Sequence, residues 1–140
     1  MTVSRIAYLT LLVGAVACRQ LRPEPIAYGA DECGSCRMQI SDPRFGGEIV
    51  TRKGRAIKFD AIDCLRGFYK QADAANDVAS VWVLDARHAG VFIAADSAWF
   101  IDLGEGRSPM GHGWAAIANR GDAAFFGVDP DSAKRWASLQ

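Results

Sequence analysis

The stretch DECGSCRM at residues 31–38 places two thiols and one thioether within six residues. Any fold in which these sulfurs act together has to bring them to one point, so this stretch constrains the chain more than any other feature. Thiolate and thioether sulfurs are soft ligands that suit Cu(I). The same spacing also suits a structural disulfide, half of a zinc site or a dithiol redox centre. All four interpretations are open at this point.

The first 17 residues are typical of a signal peptide. Arg5 precedes an uncharged apolar run at residues 6–17, which is too short to span a bilayer as a stable helix. The small residues before Cys18 resemble a bacterial lipobox, although Ala15 stands where leucine is usual. We therefore expect export and a lipid anchor on Cys18. Ordinary cleavage after Ala17 is the alternative.

Export changes what the remaining cysteines can mean. Apart from Cys18, the chain has Cys33, Cys36 and Cys64. An odd number of cysteines in an oxidising compartment leaves at least one thiol unpaired, which disfavours a purely structural disulfide framework. The 140 residues are 50% hydrophobic and 23% charged, as in a single globular domain. Basic and acidic residues balance at 16 each, so nucleic-acid binding is not expected.

Apolar periodicity predicts an α+β domain at residues 30–140, after a proline-containing tether at 18–29. A helix is expected to begin at Asp60 as N-cap, and a second to begin at Pro130. Residues 123–127 could form a strand or a short helix. Strands are expected at 37–40, 47–51, 55–59, 79–85, 91–93, 99–103 and 114–118. Strand pairs followed by a helix in each half hint at an internal repeat.

Two of the four interpretations of the sulfur stretch are weakened by its surroundings. A reactive dithiol needs Cys33 at the start of a helix, but a strand-like run and Pro43 follow the pair. A zinc site needs four nitrogen or sulfur ligands, and Cys64, His88 and His112 are scattered. Because Cys64 lies on the apolar face of the first predicted helix, we interpret it as a buried thiol of the core.

A Cu(I) site would use more of the available donors. Cys36 and Met38 are two residues apart, so their side chains share one side of an extended chain. Met110 and His112 have the same spacing in a glycine-rich loop, which permits close backbone approach. Asp31 is a candidate ligand or hydrogen-bond acceptor beside these sulfurs.

Four segments together resemble the NosL family over roughly residues 26–126. They are DECGSCRM at 31–38, Phe59-Asp60 followed by Cys64-Leu65, VWVLD at 81–85, and Ser108-Pro109-Met110-Gly111. NosL proteins are lipid-anchored copper chaperones associated with the maturation of periplasmic nitrous oxide reductase. The resemblance implies two small related ββαβ-type units of short antiparallel strands. It also implies binding and delivery of Cu(I) on the periplasmic side of a bacterial membrane, without catalysis.

The family's metal-binding positions fall on Cys33, Cys36, Met38 and Met110, with Asp31 nearby. His112, next to the shared Met-Gly pair, is a further possible ligand. Arg37 departs from the small residue, often glycine, that the family has at its position. The implied partners are the membrane itself and a copper acceptor such as nitrous oxide reductase or its assembly machinery. A periplasmic thiol-disulfide oxidoreductase using the CxxC pair is the alternative function.

Overall fold

The computed structural model describes residues 21–71 and 77–140, which form an α+β fold as the sequence predicted. All pairings between its strands are antiparallel. The elements are β1 (Gly47–Thr51), β2 (Ala56–Phe59), α1 (Ile62–Tyr69), β3 (Val78–Leu84), β4 (Phe92–Ala94), β5 (Trp99–Asp102), β6 (Trp114–Ile117), β7 (Lys134–Arg135), and 3-10 helices at Arg120–Phe126, Pro130–Ser132 and Trp136–Ser138.

The first sheet has the strand order β2-β1-β3-β4, with β1 buried along its whole length. Alternate β1 residues face opposite sides of the sheet. On one side, Ile49 belongs to the same buried cluster as Ile62 and Leu65 of α1. On the other side, Glu48 lies under the N-terminal segment of the domain, where its carboxylate accepts the Glu24 N–H at 2.9 Å.

The second sheet has the order β6-β5-β7 and repeats the connections of the first. In each case a hairpin is followed by a helical segment and by a third strand that pairs with the first strand of the hairpin. The helical segment is α1 in the first unit and the 3-10 helix Arg120–Phe126 in the second. A buried cluster that includes Ile101 and Ile117 lies under this second unit.

The segment at residues 21–31, most of which was assigned to the tether, lies across the first sheet. The Leu21 carbonyl accepts hydrogen bonds from Ser80 Oγ and Trp82 Nε1 of β3. Lys58 of β2 donates to the Pro25 carbonyl at 2.9 Å and pairs with Asp31 at 2.7 Å. The chain therefore crosses β3, β1 and β2 in turn before it reaches the sulfur stretch.

Six of the seven predicted strands are present, with no end shifted by more than one residue. Residues 37–40 form a single bridge, Glu32 to Gln39, and no strand, because Arg37 has a left-handed conformation (φ 64°). The second predicted α-helix was wrong. Residues 134–135 instead pair with β5, and the Arg135 guanidinium binds backbone carbonyls of residues 96–98.

The predicted leader at 1–17, Cys18 and the first part of the tether lie outside the described residues. Among the residues that the structure describes, no helix is both long and apolar enough to cross a membrane.

Candidate metal centre

Four side chains with metal-binding atoms converge beside the first sheet. They belong to Cys33, Cys36, Asp60 and Cys64, and one ligand atom from each lies within 4.8 Å of all the others. Metal–sulfur bonds are about 2.3 Å long, so two thiolates on one ion are at most about 4.6 Å apart. That limit applies to two ligands bound in line, whereas four tetrahedral ligands would be about 3.8 Å apart. The longest separations in the cluster would therefore have to shorten by up to about 1 Å for all four atoms to surround one ion.

A tight loop presents the first two thiols. The Cys33 N–H donates to the Met38 carbonyl at 2.8 Å, and the Arg37 N–H donates to the Cys33 carbonyl at 3.1 Å. The Gly34 N–H fixes the loop to β2 through the Lys58 carbonyl at 2.7 Å. This arrangement holds Cys33 fully buried and leaves Cys36 partly accessible.

The other two ligand atoms come from the start of α1. Asp60 was predicted to cap this helix, but the N-cap residue is Ala61, and its side chain makes no capping bond. Instead the Asp60 carboxylate is buried and lies 3.6 Å from the Cys36 sulfur. Cys64, one turn further along, is buried on the inner face of the helix. The start of α1 therefore supplies the two ligand atoms of the cluster that the loop does not.

Two thiols of this cluster, those of Cys36 and Cys64, resist ionisation because their pKa values are raised. Burial raises the pKa of Cys36, although the Met38 backbone N–H partly opposes this by binding its sulfur. Burial also raises the pKa of Cys64, and the nearby Cys33 and Asp60 raise it further. At neutral pH these two thiols hold their protons, so a metal ion that binds them has to displace those protons.

A cleft of about 420 Å³ lies next to this cluster and shares Asp60 with it. Met38 and the segment Gly106–Pro109 also line the cleft. Met38 and Ser108-Pro109, which belong to two of the segments that carry the family resemblance, therefore line one cleft, whereas Met110 and His112 are not among its lining residues.

The remaining predicted site residues are distributed around this cleft in different ways. Met38 is 55% exposed, and Met110 is half-buried against the core cluster that contains the three thiols. Burial raises the pKa of Asp63, and the charge of the nearby His112, which is exposed, partly opposes this rise. Asp31 is outside the cluster, because its carboxylate is paired with Lys58 and accepts the Ala27 N–H.

Sequence reasoning left out two of the four clustered residues. Cys64 is buried, as predicted, but it is also part of the cluster, and Asp60 was interpreted only as a helix cap. A signal for both was present, since Phe59-Asp60 and Cys64-Leu65 were among the segments that carried the family resemblance.

Together these features define a small α+β protein with a three-thiol, one-carboxylate candidate metal centre next to an open cleft. The NosL family model matches residues 26–130, so the chain belongs to the NosL family. The crystal structure of the copper chaperone NosL from Shewanella denitrificans is similar, with a TM-score of 0.71 and 24% identity over 84% of this chain and 94% of that one. At that identity the likeness shows the fold. No curated protein matches the chain at the significance that we required.

Proposed function

We propose that this protein is a membrane-anchored, periplasmic Cu(I) chaperone. The observation that carries the proposal is the convergence of Cys33, Cys36 and Cys64 with Asp60 in a member of the NosL family. Thiolates and thioethers select soft ions such as Cu(I), and three thiols are enough for a low-coordinate Cu(I) site. Binding and release of the ion, and no chemical conversion, would be the function.

The burial of the ligands supports exchange of the metal from one side only. Cys33 and Cys64 are buried, Cys36 is partly accessible, and Met38 is exposed at the cleft. An incoming ligand of an acceptor would therefore reach Cys36 and Met38 first. Met110, which is partly buried against the core cluster that includes Cys33 and Cys64, is proposed as a further thioether ligand.

The thiol-disulfide oxidoreductase alternative has less support. Such enzymes use a thiol whose pKa is lowered, so that a reactive thiolate is present at neutral pH. Here burial raises the pKa of Cys36, the more accessible cysteine of the pair, and of its neighbour Cys64. Failure of the reduced protein to reduce an insulin disulfide would agree with the metal-binding proposal, and rapid reduction would contradict it.

Anaerobic competition with a chromophoric Cu(I) chelator tests the proposal. We expect one tightly bound Cu(I) per chain, with affinity reduced by at least tenfold in Cys36→Ser, Cys64→Ser and Met110→Ala. Ser35→Ala, in the same loop as Cys36, is the matched control and is expected to bind normally. Circular dichroism of each variant separates loss of a ligand from loss of the fold. Normal affinity in both folded cysteine variants would refute the site.

Zinc is the competing ion, because three cysteines and one aspartate can complete a tetrahedral zinc site. The carboxylate is a hard ligand, so Asp60→Asn should weaken Zn(II) binding strongly and Cu(I) binding little. His112→Ala, with His88→Ala as its matched control, tests whether the imidazole contributes. If Asp60→Asn weakens the binding of both ions equally, the role of Asp60 is to position the cysteines, and it is not a ligand that selects between the ions.

The place of action is part of the same proposal. We infer a lipid anchor on Cys18 from the lipobox-like sequence, and a copper acceptor such as nitrous oxide reductase or its assembly machinery from the family resemblance. Metabolic labelling with palmitate should mark the wild-type chain and not Cys18→Ala. Equal labelling of the two chains would exclude Cys18 as the anchor.

A further inference from the structure

The end of the first sheet farthest from the candidate metal centre is basic. Arg52, Lys53 and Arg55 occupy the turn between β1 and β2, and all three are exposed. Among the described residues none of them has an ion-pair partner. Since the whole chain has balanced charges, this concentration is a local feature and does not follow from an overall basic composition.

The N-terminal segment reaches the domain at this same end. Leu21 is bound to Ser80 of β3, and Ser80 pairs with Val50, one residue before the last residue of β1. Exposed Arg22 follows Leu21 directly in the chain, and we include it as a fourth basic side chain. We call these four residues, Arg22, Arg52, Lys53 and Arg55, the basic end. Acidic residues are also close to it: the Arg52 N–H donates to the carbonyl of the half-buried Asp77, and Glu24, Asp31 and Glu32 line a pocket together with Arg55.

The candidate metal centre lies at the opposite end of β1. Gly47, the first residue of β1, pairs with Phe59, and Asp60 follows directly. Four residue steps separate Gly47 from Thr51, which corresponds to about 14 Å along the strand. A surface that contacts the basic end would therefore leave the cleft facing away from it.

We propose that the basic end rests on an anionic phospholipid surface and holds the metal cleft toward the aqueous side. This inference rests on the anchored form in the proposed function. Only three residue steps separate Cys18 from Leu21, and an extended chain spans about 10 Å over that length. An acyl group on Cys18 therefore brings the basic end to the headgroups, where each basic side chain strengthens binding about fivefold.

This placement also serves the proposed delivery of copper. The lipid anchor keeps the protein in the plane of the membrane, and the basic end limits its rotation about the tether. The cleft over Asp60 then remains accessible to a partner and is not turned toward the lipid. Because the attraction is electrostatic, it weakens as ionic strength rises.

Hydrogen exchange of the full chain in reconstituted vesicles tests the inference. The protein, purified from membranes with its own anchor, is placed in vesicles of phosphatidylcholine alone or with phosphatidylglycerol. Amides of residues 52–55 should exchange at least fivefold more slowly in the anionic vesicles, and 0.5 M salt should abolish the difference. Amides of residues 104–111, which include the far wall of the cleft, should exchange equally in both.

Charge reversal separates the basic end from general electrostatics. Arg52→Glu with Lys53→Glu should remove the slowing, whereas Arg87→Glu with Arg107→Glu, exposed at the other end, should preserve it. Equal exchange at 52–55 in both kinds of vesicle would overturn the inference, as would slowing at 104–111 instead. Slowing by added polyglutamate in neutral vesicles, without any effect of anionic lipid, would identify an acidic protein as the partner and also overturn it. None of these outcomes depends on copper binding.

Discussion

Glu48 should make this protein less stable as the pH rises through neutrality. Its side chain is fully buried on β1, one oxygen accepts the Glu24 N–H, and the other has no hydrogen-bond partner among the residues that the structure describes. Burial raises the pKa of Glu48 from 4.5 to about 7, although the Glu24 N–H and the charge of Lys58 oppose the rise. The negative charges of Glu24 and Asp31 add to it.

The sign and size of the effect follow from proton linkage. Between pH 4.5 and 7 the unfolded chain has lost the Glu48 proton while the folded protein retains it, so the free energy of unfolding falls as the pH rises. The full stabilisation is present below pH 4.5 and is lost as the pH passes through 7. A pKa difference of 2.5 (7 minus 4.5) corresponds to about 3 kcal/mol.

Glu48→Gln mimics the protonated side chain at every pH. Urea unfolding of the reduced, metal-free protein at pH 4.5, 6, 7 and 8.5 should show that the variant gains about 3 kcal/mol relative to wild type across this range. Effects of other titrating groups cancel in the difference. Exposed Glu105→Gln is the control and should follow wild type. Parallel curves for wild type and Glu48→Gln would refute the reasoning.

Two further substitutions test the backbone near the site by chemical denaturation. Arg37→Gly should stabilise the protein by about 0.5–1 kcal/mol. The left-handed conformation of Arg37 costs about 1–2 kcal/mol in a residue with a side chain, and the greater entropy of glycine in the unfolded chain offsets part of the gain. A destabilised variant would show that the Arg37 side chain makes a compensating contact. Gly46→Ala should destabilise the protein by about 3 kcal/mol or more, since its Cβ would overlap the Phe59 carbonyl oxygen. Gly90→Ala, with a similar positive φ and open space around it, should cost only about 1 kcal/mol. Equal losses in the two alanine variants would mean that the clash is relieved by a small backbone shift.

Local sequence patterns correctly predicted the strands and helix of the first unit, but they did not predict the structure at the end of the chain. The strands before and after α1 show apolar periodicity that the tertiary structure preserves. Residues 129–139 have a helical start signal at Pro130, but Trp136 packs against Tyr69 and Phe100. These contacts come from distant parts of the chain, and they override a weak local helix propensity.

The candidate site shows the same division between local and distant information. Cys33 and Cys36 are three residues apart, so their spacing alone pointed to a common role. Asp60 and Cys64 reach them only because β2 pairs with β1 and α1 then turns back over the sheet. Asp60 and Cys64 are four residues apart at the start of a helix, a spacing that fits a helix cap and a core residue equally well. Periodicity alone does not predict that both side chains face a loop 24 or more residues earlier in the chain.

The arrangement of the site also explains why two residues beside it, Asp60 and Arg37, do not make the contact or adopt the conformation that would stabilise the fold most. Asp60 precedes α1 at a point where its carboxylate could have capped the helix, a contribution of about 1 kcal/mol, but it faces Cys36 instead. Arg37 holds a left-handed conformation that closes the loop around Cys33. Both departures help to place donor atoms of the cluster, Asp60 through its own carboxylate and Cys33 through the closed loop. Local departures of this kind are expected where a structure is shaped by binding and not by stability alone. Their coincidence at one point therefore supports a metal centre there over a chance contact of buried thiols.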